Sequence, residues 1–328
     1  VKLETRTHCP VCYHDKRRII YSIPYSSQEL TNYLKNFYEP QGYPDITSLQ
    51  QENFELAECE ECDMIFQVHV PDEDSLVELY TRWISADKVY ELYEKKRELP
   101  YVINNFLMLY NLIEHLGTRD FKLLDYGFGS GYLLMQARLL GIETYGYEIN
   151  PEQKQWARQN GITCIEKFDS SHPAMDVIFC EQVLEHAVEP RIVMENIARV
   201  SHEKTILHLS VPDAWNIKNI LSNIDWNNMK GNERSVNVFA PLEHINSFRS
   251  QQLIRLANEF GFEPYLLETR YQLTLKPAFL NPDIKYIISL NKILFKNLIK
   301  KITGYKSHVN IPPTLSTYMY FKRKSTSV

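Results

Sequence analysis

The chain has 328 residues, 44% hydrophobic and 23% charged, with a formal net charge of −5. That length allows one large domain with a smaller appendage and a substantial core. The acidic balance disfavours a nucleic-acid partner, which calls for a basic excess, and no uninterrupted apolar run reaches membrane-spanning length.

The opening segment, Val1 to His8, lacks the apolar core of a signal peptide, so a cytoplasmic location is expected. Four of the six cysteines form two C-x-x-C pairs, Cys9/Cys12 and Cys59/Cys62, while Cys164 and Cys180 stand alone in apolar stretches. In a reducing compartment such pairs read as a zinc site rather than a disulfide framework. Two thiolates on one turn can face one ion, and two turns close a tetrahedral shell of four thiolates. A closed shell has no position for substrate, so a structural zinc is expected. The gap between the pairs exceeds the usual ribbon spacing, so an insertion lies between them. Residues 1–73 are thus expected to be a zinc-binding module of short strands.

Residues 74–117 turn helical, with Leu76, Leu79 and Tyr80, then Phe106, Leu109, Ile113 and Leu116 at helical spacing. Pro100 divides this linker or lid, and Gly117 is its expected C-cap. From 118 to 274 strands and helices alternate, as in a parallel sheet with helical crossovers. Expected strands are 121–126, 144–149, 163–167, 176–180 and 204–211, with helices at 132–140, 151–160, 190–200 and 251–260. The last two strands, 263–269 and 316–322, should pair antiparallel, the second lying in the closing segment 315–328. Between them, 275–314 is an insertion carrying an expected cationic amphipathic helix, 284–302. Lys285, Lys292, Lys296 and Lys300 line one side and Ile287, Leu290, Leu294, Leu298 and Ile302 the other. Such a helix can lie on an anionic membrane, the inner face here, or pack on its own domain.

The strand at 121–126 runs into Asp125-Tyr-Gly-Phe-Gly-Ser-Gly131 and then a helix start. Glycines there let backbone approach a nucleotide-like ligand at a helix N-terminus. A dinucleotide fingerprint would need glycine at 132, where this chain has Tyr132. Glu148 ends the second strand, where an acidic side chain can accept both ribose hydroxyls of a nucleoside. The fourth strand reads Met175-Asp-Val-Ile-Phe-Cys-Glu-Gln-Val-Leu-Glu-His186.

In order, these three elements resemble the class I S-adenosylmethionine (SAM)-dependent methyltransferases over residues 76–270. The resemblance implies an α/β, Rossmann-like seven-stranded sheet with helices on both faces, SAM over the carboxyl ends of the strands, and S-adenosylhomocysteine (SAH) as product. Carried onto this sequence, Asp125, Gly127, Gly129 and Gly131 would wrap the amino-acid and ribose portions of SAM. Glu148 would take the ribose hydroxyls, Ile149 would line the adenine pocket, and Phe168 and Asp169 would meet the adenine amino group. Glu181 and Gln182 would face the sulfonium, with His186 structural.

The cysteine pairs followed by an acidic, tyrosine-rich helix are similar to the zinc-bearing N-terminus of a methyltransferase subgroup that includes deoxysugar C-methyltransferases. The subgroup's acid/base pair would fall on Glu243 and His244, within Phe239-Ala-Pro-Leu-Glu-His-Ile245. A histidine beside a carboxylate suits proton removal near neutral pH. Those sugar enzymes carry a further C-terminal α/β domain that does not follow here, which leaves the acceptor open. The expected function is C- or O-methylation of a sugar, nucleotide-sugar or glycan. An RNA methyltransferase reading RNA through the zinc module and a non-catalytic zinc-containing scaffold are the alternatives.

Overall fold

The protein is described by a computed structural model covering residues 1–42, 44–84, 99–169, 171–230, 232–267 and 316–324. The expected helix at 284–302 lies outside the described residues. The chain opens with β1 (Leu3–Thr5) and β2 (Arg17–Pro24), then α1 (Gln28–Tyr38). This helix lies in the insertion where the sequence suggested only short strands. Ser27 caps it by accepting from the Leu30 N–H, and Leu30, Tyr33, Leu34, Phe37 and Tyr38 bury one continuous stripe.

Next come β3 (Asn53–Cys59), β4 (Ile65–Gln67) and β5 (His69–Pro71). Asp72 caps α2 (Glu73–Glu78) by accepting from the Ser75 N–H at 2.9 Å, and a π turn at Leu79–Trp83 continues it. The long helix α3 (Leu99–Leu116) ends at Gly117, which takes φ 69° and donates to the Ile113 carbonyl at 2.8 Å. A glycine suits that left-handed stop, as the sequence suggested.

The alternating core follows: β6 (Lys122–Tyr126), α4 (Tyr132–Leu139), β7 (Glu143–Tyr147), α5 (Pro151–Gln159), β8 (Thr163–Cys164), β9 (Met175–Glu181), α6 (Pro190–Arg199) and β10 (Ser201–Pro212). After it come α7 (Ile217–Ser222), β11 (Asn246–Ser247), α8 (Ser250–Glu259), β12 (Phe262–Tyr265) and β13 (Ser316–Arg323). Seven of these strands form one sheet in the order β12-β13-β10-β9-β6-β7-β8. Strands β6 to β10 run parallel, and β13 lies antiparallel between β10 and β12.

Both faces of the sheet are covered, which is why its central strands are nearly continuously apolar. Leu124, Ile178, Leu207 and Leu209 pack with Val193, Met194 and Ile197 of α6 and Leu253 and Leu256 of α8. The alternate residues Leu123, Val177, Phe179 and Ile206 pack with Leu109 and Leu112 of α3, Leu134 and Ala137 of α4, and Ala157 of α5. The period-2 pleat sorts neighbouring residues onto opposite helical layers.

A second sheet, ordered β11-β4-β3-β2, is antiparallel throughout. Its edge strand β11 comes from the far side of the core in sequence: Asn246 pairs with Phe66 and Ser247 with Ile65. Helix α1, Leu49, Phe54, Ile65, Leu79 and Trp83 share one core with the excursion after β10, where Trp226 meets Tyr21, Tyr33, Phe54 and Phe239. Cys9, Val11, Cys59, Met64 and Phe66 belong to the core of the large sheet. The cysteine-bearing segment is thus packed against the body of the protein. Among the described residues no helix is long and apolar enough to cross a membrane.

Candidate active site

The glycine loop leaves the carboxyl end of β6, with Gly127, Gly129 and Gly131 at φ 80°, 50° and 69°. A Cβ on Gly127 would lie 2.5 Å from Val183 Cγ2, and one on Gly131 2.5 Å from Trp156 Cζ3. Those two glycines are required by close packing as well as by backbone hand. At Gly129 a Cβ would meet nothing within 4 Å, so this turn borders open space. A Gly129→Ala variant is therefore expected to lose only about 1–2 kcal/mol of stability from left-handed strain. Its affinity for SAH, read by calorimetry, should fall at least ~10-fold, equivalent to about 1.4 kcal/mol, if that space receives the ligand. Unchanged affinity would mean that the ligand lies elsewhere.

Glu148, just past β7, meets the same loop. Its Oε2 accepts from the Gly129 N–H at 3.0 Å, and Oε1 accepts from Ile149 and Asn150 N–H at 2.8 and 3.0 Å. These bonds fix the carboxylate: Oε1 already accepts two, and Oε2 keeps one lone pair for a ligand hydroxyl. Ile149 stands 58% exposed beside it. Phe168 stacks on Tyr126 at 5.2 Å between centroids, and Asp169 is anchored by the Ser171 N–H at 2.9 Å and by the Ser171 hydroxyl. At the end of β9, Glu181 Oε1 lies 2.9 Å from His208 Nδ1. Gln182, at φ 54°, donates to the Ser210 Oγ at 2.9 Å.

Burial first, and then the charges on Glu181 and Glu148, push Asp125 well above the ordinary carboxylate range. Three acidic groups thus share one crevice. A ligand carrying a positive sulfonium and an ammonium would offset their mutual repulsion.

The second half of the site lies next to this crevice. His186, in the turn after β9, and His244, two residues before β11, have ring centroids 4.7 Å apart and planes inclined by 73°. The sequence placed catalytic weight on Glu243 and His244 and treated His186 as structural. The folded chain sets both imidazoles face to edge. His186 Nδ1 lies 2.9 Å from the Glu243 carbonyl and 3.0 Å from the Tyr80 hydroxyl, and His244 Nδ1 bonds the Asn237 carbonyl. A carbonyl only accepts, so both rings carry their proton on Nδ1 and present a bare Nε2. Glu243 thereby contributes its backbone oxygen to His186, while the partner orienting the His244 ring is Asn237.

Burial, and then His186, hold His244 well below the ordinary imidazole value of 6.5. Burial lowers His186 to about 4. Burial, followed by the charges on Glu243, Glu185 and Glu148, raises Tyr80 well above 10. That hydroxyl stays protonated against His186 Nδ1.

Buried side chains clamp both histidine segments. Arg6 donates to Asn246 Oδ1 and the Val188 carbonyl, both at 2.8 Å, and Asn246 donates to the Leu184 and Ala187 carbonyls. Gln67 donates to the Ala240 and His244 carbonyls at 2.9 and 3.1 Å and accepts from the Leu242 N–H at 3.1 Å. Leu242 is held at φ 70°, a strained conformation for a side chain of that size. Gln67→Ala should strand several of these buried groups, each at about 1–3 kcal/mol, and free the loop. Lower thermal stability together with a drop in turnover is expected; full activity would show that the loop needs no such brace. Tyr80, Gln67 and Asn246 are site residues that no motif marked, and the only sequence signal for Tyr80 is its place in a tyrosine-rich helix.

Away from the crevice the two cysteine pairs converge. Cys9 and Cys62 sulfurs are 3.6 Å apart, those of Cys12 and Cys59 3.5 Å, and all four lie within 4.8 Å of one another. A disulfide would bring sulfurs to about 2.05 Å. Tetrahedral zinc with bonds of about 2.3 Å separates its sulfurs by about 3.8 Å, close to what is found. The two turns are alike: Tyr13 N–H donates to Cys9 O and Asp63 N–H to Cys59 O, with Tyr13 and Asp63 at φ 60° and 55°. The Cys62 hydrogen bond pulls Cys9 down despite burial, which favours its thiolate form.

Solved structures of similar fold are methyltransferases of low sequence identity. A magnesium protoporphyrin IX methyltransferase from Synechocystis PCC 6803 with bound SAH is 14% identical with a TM-score of 0.46, covering 77% of this chain and 100% of its own. The plantazolicin methyltransferase BpumL, in complex with a pentazolic desmethylPZN analog and SAH, is 12% identical with a TM-score of 0.44, covering 76% of this chain and 95% of its own. A comparison with curated proteins finds no match. A family model described as a methyltransferase domain matches residues 91–267, a span that runs from α3 through the glycine loop and both histidines to β12. With more than half of its length inside that match, the chain belongs to this methyltransferase family, and it is a SAM-dependent methyltransferase.

Proposed function

We propose that the enzyme methylates a small polyhydroxylated acceptor, a sugar or sugar conjugate, and that His244 removes the acceptor proton. The observation that carries this reading is the His186–His244 pair, locked by backbone carbonyls so that bare Nε2 atoms sit beside the cofactor crevice. When bound, SAM supplies an electrophilic methyl group and departs as SAH. His244 Nε2 takes the proton from the acceptor oxygen or carbon, whose electron pair is then free to attack. His186 lines the same approach, with Tyr80 against its far nitrogen.

A polyhydroxylated acceptor suits a lining rich in unpaired polar atoms. Among the described residues, Tyr33 Oη, Glu243 Oε2 and both Glu185 oxygens are buried without hydrogen-bond partners. Hydroxyl groups that satisfy such atoms are selected strongly over analogues that lack them. The similarity of the cysteine module and the Glu243-His244 segment to the deoxysugar subgroup supports the same class. We assign the four cysteines to a structural zinc, on their sulfur spacing and their fully protein-made ligand set.

A SAM-turnover screen tests the proposal by following SAH release with nucleotide-sugars, free deoxysugars, oligosaccharides and RNA as acceptors. Turnover confined to the sugar-bearing compounds is the expected result. Turnover on RNA alone would overturn it.

A further inference from the structure

Glu185, His186 and His244 form a cluster whose ligand-type atoms all lie within 4.8 Å of one another. Glu185 is 1% exposed, and neither of its carboxylate oxygens has a hydrogen-bond partner among the described residues. His186 Nε2 stands 3.8 Å from Glu185 Oε1, too far for a hydrogen bond. Both histidines donate Nδ1–H to backbone carbonyls, so their Nε2 atoms are lone-pair donors. The inner face of the cluster thus offers two nitrogens and a buried carboxyl group. A second buried carboxylate, Glu243, lies close enough to Glu185 to be felt electrostatically, and Lys230 is the cation that acts on Glu243 and both histidines.

We propose that Glu185, His186 and His244 constitute a second metal site, distinct from the cysteine cluster and suited to a divalent transition ion such as zinc. Two imidazoles and one carboxylate are a recurrent zinc donor set that leaves a fourth position open. Hydrogen bonds from the remote Nδ1 atoms to carbonyls are the outer-shell arrangement that orients metal-bound histidines. Zinc bonds of about 2.0–2.1 Å place tetrahedral ligands roughly 3.3 Å apart, so the His186 Nε2–Glu185 pair, 3.8 Å apart, closes in by about half an ångström as the ion enters. His186, whose side chain keeps 21% exposure, provides the route.

An ion here takes the same lone pair on His244 that proton removal requires. Metal and proton are therefore mutually exclusive, and the ion switches methyl transfer off. That consequence rests on the proposed base, whereas the binding site does not.

The test is titration of the full chain with Co²⁺, followed by absorption and by metal content. Two ions per chain are expected. One should give intense thiolate charge-transfer bands and the other only weak d–d bands of a nitrogen and oxygen site. Glu185→Gln and His186→Asn should each abolish the second ion while keeping the thiolate bands and the affinity for SAH, which reports an intact fold. A single thiolate-bound ion in the unaltered chain, or a second ion untouched by either substitution, overturns the proposal. Filling the second site should reduce turnover at least ten-fold. Filling it without inhibition would uphold the site and remove His244 as the base.

Discussion

Replacing His244 with alanine is expected to lower turnover by ~10²–10⁴-fold, the usual worth of a positioned general base. SAH binding should be unchanged. The separation follows from the geometry, since the residues proposed to hold the cofactor sit on the glycine loop, Glu148 and the end of β9, whereas His244 sits on the loop before β11. A loss that appears in kcat with binding preserved identifies an interaction made only in the transition state. Glu243→Gln is the informative partner. It removes a buried carboxylate but keeps the carbonyl that orients His186, so its cost should be smaller than that of His244→Ala.

The pH dependence has a definite sign. A base acts in its neutral form, and burial together with His186 keeps His244 neutral well below 6.5. The acidic limb of kcat/KM should consequently fall below pH 6.5 and vanish from that position in the alanine variant. Near-normal turnover by His244→Ala at saturating acceptor would place the proton acceptor on another residue.

The large sheet was legible almost element by element because its central strands, β6, β9 and β10, are apolar runs and helical segments alternate with the strands around them. The loop at 127–131 and the Glu148 turn were legible for a related reason: both are local, and each states its backbone requirement in consecutive residues. Tyr132 helped by excluding the dinucleotide pattern. The acceptor side was less visible because its parts are distant in sequence. His186 and His244 meet only after Asn246 has bonded the Leu184 and Ala187 carbonyls, a contact that no periodicity announces. The same applies to β11, two residues long and meaningful only against β4. Helix α1 carries its own stripe at Leu30, Leu34 and Phe37, but it lies between two cysteine turns whose spacing suggests short strands.

Serine at Cys59 or Cys62 is expected to produce the largest loss of stability of any substitution considered. Folding of a structural zinc site is tied to metal affinity, worth about 10–16 kcal/mol at neutral pH, so a broken ligand set forfeits a large share of it. In this chain the loss would not stay local. Cys9, Cys59, Met64 and Phe66 belong to the core of the large sheet, and β4 begins three residues after Cys62. β4 carries β11, and Gln67 at its end braces the loop that holds His244. Loosening the cysteine turns should therefore release the proposed base before it reaches the glycine loop, whose hydrogen bonds among the described residues run to Tyr147, Glu148 and α4. Cys62→Ser should show lost zinc content, a lower melting temperature, early protease cleavage near residues 59–67, and activity lost ahead of SAH binding. Cys164→Ser, at a thiol outside the cluster, should leave all four unchanged. If chelation or Cys62→Ser spared the melting temperature and turnover together, the cysteines would hold no structural ion. The link from this module through β11 to His244 would then carry no weight.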